Sequence, residues 1–176
     1  VAPLRLGWML LLSVALALWL PVTAVYGQQA PQPKDVVILL DTSASMVGQG
    51  TDPKAQDIWS KVLSNLADLV GAFPENTRLM VLPFDQNVHM DKAHTFTTRP
   101  PRQDLLTYLA TLQPTGQSTW IYESVVSAYQ QLATWSQGQA QQPQALYVYT
   151  DGLDNGAHSA TWVDDLSQTV RLQRST

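Results

Sequence analysis

Six oxygen-bearing side chains stand where this sequence could do chemistry. Asp41 closes the apolar run "VVILL", Val36 to Leu40, and Ser43 and Ser45 follow it at alternate positions in "DTSASM". Ser118 and Thr119 lie in "GQST", and Asp151 follows the run "ALYVYT". Two carboxylates brought together beside a desolvating sheet repel, which raises one or both pKa values unless a cation sits between them. Hydroxyls at alternate positions of an extended turn point the same way as the Asp41 carboxylate. The resulting set is oxygen only, and it suits a hard divalent cation: Mg²⁺ first, with Ca²⁺ or Mn²⁺ as alternates.

Other readings of these residues are weaker. Aspartate with two serines is also a helix cap or turn cluster, but that does not account for Asp151 and the Ser118/Thr119 loop together. The loop "DGLDNG", Asp151 to Gly156, fails as a calcium loop because Leu153 and Trp162 fall where oxygen ligands are needed. His89, His94 and His158 are not spaced as a metal set and read as solvated or locally bonded.

The elements that must position the six residues follow from periodicity. Val36 to Leu40 is apolar on both faces, as a central parallel strand requires. Ile58, Trp59, Val62, Leu63, Leu66, Leu69 and Val70 recur at helical spacing, with Asp52 as a cap, Pro53 in the first turn and Gly71 at the exit. Arg78 to Phe84 is a second strand, and Val88 to Phe96 a weaker antiparallel edge strand after a turn at Asp85 to Asn87. Leu105 to Leu112 marks a short helix and Ile121 to Trp135 a longer one. "ALYVYTDG" is a strand running into Asp151, and Trp162 to Val170 a closing helix. Strands alternating with helices imply an α/β, Rossmann-like, mostly parallel open sheet covered on both faces, whose ligands sit beyond the carboxyl ends of the strands.

The motifs "DTSASM" after a buried strand, "GQST" before a helix and "TDG" after a later strand resemble the von Willebrand factor type A (VWA) domain. That family carries a metal-ion-dependent adhesion site written Asp-x-Ser-x-Ser, then Thr, then Asp. The resemblance runs from about Asp35 to the end of the chain. It implies that Asp41, Ser43 and Ser45 form the first motif and Asp151 the last. The family's Gly-Gly-Thr aligns with Gly116, Gln117 and Ser118, so a serine stands where threonine is usual, with Thr119 beside it; either hydroxyl fits. It further implies a coordination place left free for an acidic side chain of a protein partner, and further strands beyond the last helix, so that residues 35–176 form an incomplete domain.

Composition narrows the rest. The 176 residues make one domain of ordinary size once the leader is set aside. A net charge of -4, with 10 scattered Lys and Arg, excludes a nucleic-acid surface. With no cysteine there are no disulfides, thiolate sites or thiol nucleophiles. Arg5, the apolar run Trp8 to Leu20 and the small residues before Gly27 form a secretory signal peptide cut after Gly27, or an uncleaved membrane anchor. Both place the remainder outside the cytoplasm, and secretion without cysteine fits a bacterial envelope, periplasmic or membrane-anchored. Residues 28–34 read as a Pro/Gln tether, and a membrane helix downstream of Thr176 is a second route to the bilayer.

The expected function is therefore a non-enzymatic, metal-dependent protein-binding module. Two rivals stand beside it. One is a structural or assembly subunit of an envelope complex with the same fold. The other is a Mg²⁺-dependent phosphatase using Asp41 as nucleophile, for which a second aspartate is expected two positions on, where Ser43 stands.

Overall fold

The computed structural model describes residues 32–49, 56–137, 142–152 and 156. The leader, the expected Asp52 cap and the expected closing helix at Trp162 to Val170 lie outside the described residues. Among the described residues four strands form one sheet in the order β3-β2-β1-β4. They are β1 (Asp35–Asp41), β2 (Arg78–Phe84), β3 (His94–Phe96) and β4 (Gln144–Tyr149), with helices α1 (Trp59–Gly71), α2 (Arg102–Leu109) and α3 (Ile121–Ser136) between them.

β1 and β2 are the inner strands of the described sheet, and both are apolar on both faces. β1 pairs in parallel with β2, Asp41 level with Phe84, and with β4, Leu40 level with Tyr149. Val36, Ile38 and Leu40 face α1 and α2 through Leu66, Val70, Leu105 and Leu109, whereas Val37 and Leu39 face α3 through Ala128 and Leu132. All five β1 side chains have no exposed surface. Each such burial is worth about 1.5–3 kcal/mol, which holds β1, and hence Asp41, in a single register.

Two expectations need correction. The first helix does not reach back to the Asp52 region: Gln56 to Ile58 are non-helical, Asp57 forms an antiparallel bridge with Val47, and α1 starts at Trp59. The Asp57 carboxylate accepts the Trp59 N–H at 3.1 Å, so an aspartate does satisfy the helix start, five residues later than expected. The edge strand is only His94–Phe96, paired antiparallel with β2, and Val88 contributes a lone bridge to Phe84. Apolar character from Val88 onward reflects a hairpin loop packed on the sheet, not continued pairing. β4 forms where it is expected, exposed at Gln144 and Val148 and half-buried at its other positions.

The lower end of the sheet is closed by charge. Arg78 Nε lies 2.9 Å from the Asp35 carboxylate, and its guanidinium sits 4.2 Å over the Trp135 ring. Lys34 N–H donates to Pro143 O at 2.7 Å and Arg78 N–H to Lys34 O at 2.7 Å, so the last tether residue already belongs to the sheet. Arg99, from the "RPPR" run, donates to the Gly71 and Phe73 carbonyls and thereby satisfies the exit of α1.

Candidate metal centre

At the upper end the backbone of β1 runs from Asp41 into a single 3-10 turn, Ala44–Met46. Thr42 fixes the departure: its N–H and its hydroxyl both donate to Phe84 O, at 2.7 and 3.0 Å. The loop before α3 is tied to the same residues. Thr115 and Gly116 N–H donate to Thr42 O at 2.9 and 3.1 Å, and Ala44 N–H donates to Gly116 O at 2.7 Å. Trp120 N–H donates to Asp85 O at 2.9 Å, which fastens the other end of that loop to the end of β2. Gly116 packs so closely on Asp85 that an added Cβ would overlap the Asp85 Cβ and lie 2.6 Å from Oδ2.

These ties bring the hydroxyls and carboxylates together. Ser43 Oγ and Ser45 Oγ are 2.9 Å apart, and Ser45 Oγ donates to Asp151 Oδ1 at 3.1 Å. The two serine hydroxyls do share a side, through a tight turn instead of the extended one expected. Asp41 Oδ1 accepts the Ser43 N–H at 2.8 Å, and Oδ2 accepts the Thr150 hydroxyl at 2.7 Å. Thr119 is 3% exposed, and its Oγ1 lies 3.8 Å from where a Gly152 Cβ would be; the Thr150 hydroxyl lies 3.9 Å from the same point. Thr119 thus faces the Asp151 turn, whereas Ser118 makes no such approach.

The electrostatics differ from the expected pair of equivalent acids. Asp41 has no exposed surface, whereas Asp151 is exposed. Burial pushes the Asp41 carboxyl above its ordinary value of 3.8; the Thr150 and Ser43 hydrogen bonds pull it back, and repulsion from Asp151 adds the smallest contribution. Desolvation, not mutual repulsion, is the main cost at this site. Among the described residues no three His, Cys, Asp or Glu side chains converge, so a cation held here would rely on hydroxyls for much of its shell. The donor chemistry fits one: a desolvated carboxylate, a second carboxylate and neutral hydroxyl oxygens make a hard oxygen set of the kind Mg²⁺ accepts.

A family model for the von Willebrand factor type A domain matches residues 35–176. The chain belongs to that family. Solved structures share the VWA fold at low identity. Proximal thread matrix protein 1 from the mussel byssus is 17% identical with a TM-score of 0.55, over 78% of this chain and 36% of that one. An aerotolerance-related membrane protein from Bacteroides fragilis is 22% identical with a TM-score of 0.52, over 77% and 62%. A von Willebrand factor type A protein from Catenulispora acidiphila is 12% identical with a TM-score of 0.54, over 78% and 30%. The chain therefore spans between 30% and 62% of the length of these structures. No curated protein matches.

Thr150, Thr42 and Asp85 escaped notice as site residues. Asp85 carried the same signal as Asp41, an aspartate directly after a buried strand. Its Oδ1 accepts the Asn87 N–H at 3.0 Å and its Oδ2 lies 2.9 Å from His89 Nε2, so it shapes the turn after β2. His94 stacks against Phe96 and Tyr108 at 4.4 and 5.1 Å between ring centroids. His89 thus lies beside the Asp85 carboxylate and His94 in an aromatic cluster, while His158 lies outside the described residues.

Proposed function

We propose that the VWA domain is an extracytoplasmic interaction module that binds a protein partner through a divalent cation. Domains of this family are interaction or adhesion modules. In this reading Asp41, Ser43, Ser45, Thr119 and Asp151 hold Mg²⁺, with Ca²⁺ or Mn²⁺ as substitutes, and an acidic side chain of the partner completes the shell. Thr119 is preferred to Ser118 because its hydroxyl faces the Asp151 turn. The ion, when bound, supplies positive charge that offsets the desolvation of Asp41. The protein's part is to hold the oxygens in place and to shield Asp41 from water.

The observation that carries this reading is the unbroken link Ser43–Ser45–Asp151, which joins side chains 106 residues apart beside a buried Asp41. Placement outside the cytoplasm rests on the apolar leader in the sequence. The Bacteroides fragilis neighbour is itself described as a membrane protein. The net charge of -4 supports a protein partner over nucleic acid.

Isothermal titration of purified protein with Mg²⁺, Mn²⁺ and Ca²⁺ tests the proposal. Binding by wild type is expected, with loss in Asp41→Ala at retained secondary structure. A folded wild-type protein that takes up none of the three ions refutes it and leaves the envelope-assembly reading.

A further inference from the structure

The metal reading assigns no role to Thr150, yet its hydroxyl is held from two sides. It donates its one proton to Asp41 Oδ2 at 2.7 Å and accepts the Gly152 N–H at 3.1 Å. Both directions are therefore used, and the hydroxyl has one orientation. On one side it fixes the carboxylate at the end of β1. On the other it sets the turn that carries Asp151. The remaining Asp41 oxygen is held by the Ser43 N–H, so the carboxylate plane is clamped from both ends by protein donors before any ligand arrives.

We propose that Thr150 is a positioning residue that sets the separation and orientation of the two carboxylates, Asp41 and Asp151, for cation binding. The inference rests on the metal-binding reading and adds to it. Thr150 itself has no need to touch the ion. Its hydroxyl couples strand end to turn, so that Asp41 cannot rotate without disturbing the Gly152 amide. Groups that orient metal-binding carboxylates through one hydrogen bond commonly change affinity by about 10–100-fold when removed.

The test uses Mn²⁺ as probe, with titration calorimetry for affinity and electron paramagnetic resonance for the bound environment. Thr150→Val keeps the shape of the side chain and removes both hydrogen bonds. Its Mn²⁺ affinity is expected to fall by about 10–100-fold with an altered spectrum; Thr150→Ser is expected to restore both. Thr150→Ala serves if the valine variant does not fold, with the same expected loss. Arg78→Ala, at the start of β2 and level with the far end of β1, separates positioning from general destabilisation, because it is expected to lower the melting temperature at unchanged affinity. Wild-type binding with equal affinity in the folded valine or alanine variant overturns the role of Thr150 alone. No Mn²⁺ binding by wild type overturns the metal reading beneath it.

Discussion

Gly116→Ala is the sharpest probe of how the site is built. The added Cβ would overlap the Asp85 Cβ and lie 2.6 and 2.7 Å from Oδ2 and Cγ, against a comfortable carbon contact of about 3.5–4.0 Å. The colliding atom sits next to the backbone, so no rotamer change relieves it and the loop must move by about 1 Å. That loop is held by Gly116 N–H on Thr42 O and by Ala44 N–H on Gly116 O. Stretching these costs about 0.5–1.5 kcal/mol each, and overpacking about 1–3 kcal/mol. The unfolded chain loses entropy worth about 0.4–1 kcal/mol in return, leaving a net loss of about 1–6 kcal/mol, near 3 kcal/mol at the middle of these ranges. For a domain of this size that middle value lowers the melting temperature by roughly 6–12 °C. Thermal and urea melts in chelator measure this without interference from ion binding. Gly71→Ala, where an added Cβ meets nothing within 4 Å, is the matched control and should be neutral or stabilising. Asp85→Ala should not rescue the variant, because it keeps the Cβ, whereas Asp85→Gly should rescue it in part. A Gly116→Ala protein that melts with the wild type would refute the close approach.

Two further outcomes follow from the charges. Because burial raises the Asp41 carboxyl above 3.8, the metal-free folded state binds that proton more tightly than the unfolded chain. Stability is then lost as pH rises from the ordinary value through the raised one. Asp41→Asn should remove this slope and be the more stable protein near about pH 7 in chelator, while matching wild type near about pH 3; parallel pH profiles would contradict it. Arg78→Ala leaves the nearly buried Asp35 carboxylate without its guanidinium, at about 1–3 kcal/mol by urea melt, and roughly 20 Å of strand separates it from the site, so Mg²⁺ affinity should not change.

The sequence was most legible where one residue type answers one demand. Five apolar residues in a row require burial on both faces, so the centre of the sheet and the place of Asp41 at its end could be read directly. Ser43, Ser45 and Asp151 were legible as a pattern, and the structure brings them within hydrogen-bonding distance. The apolar run of β4 concealed its partial exposure, because run length reports hydrophobicity and not which neighbours a strand has. Which hydroxyl of Ser118 and Thr119 faces inward depends on how the loop is pinned at Gly116 and Trp120, and those pins are backbone hydrogen bonds that no side-chain pattern encodes. The start of α1 moved for a similar reason: the bridge between Val47 and Asp57 claims residues whose propensities would otherwise continue the helix.

The central position of β1 has a consequence for the newborn chain. β2 follows β1 after 43 residues, Arg78 lying level with Asp35, but the strand that covers the other edge of β1 begins only at Gln144, 109 residues after its partner Asp35 in the register. Until then "VVILL" presents a bare row of amides and carbonyls on a β-prone, uncharged segment, the kind of edge that recruits neighbouring chains. Arrest of synthesis before Gln144 should therefore yield a sticky nascent chain that depends on chaperones, and the arrival of β4 is the event that ends that exposure.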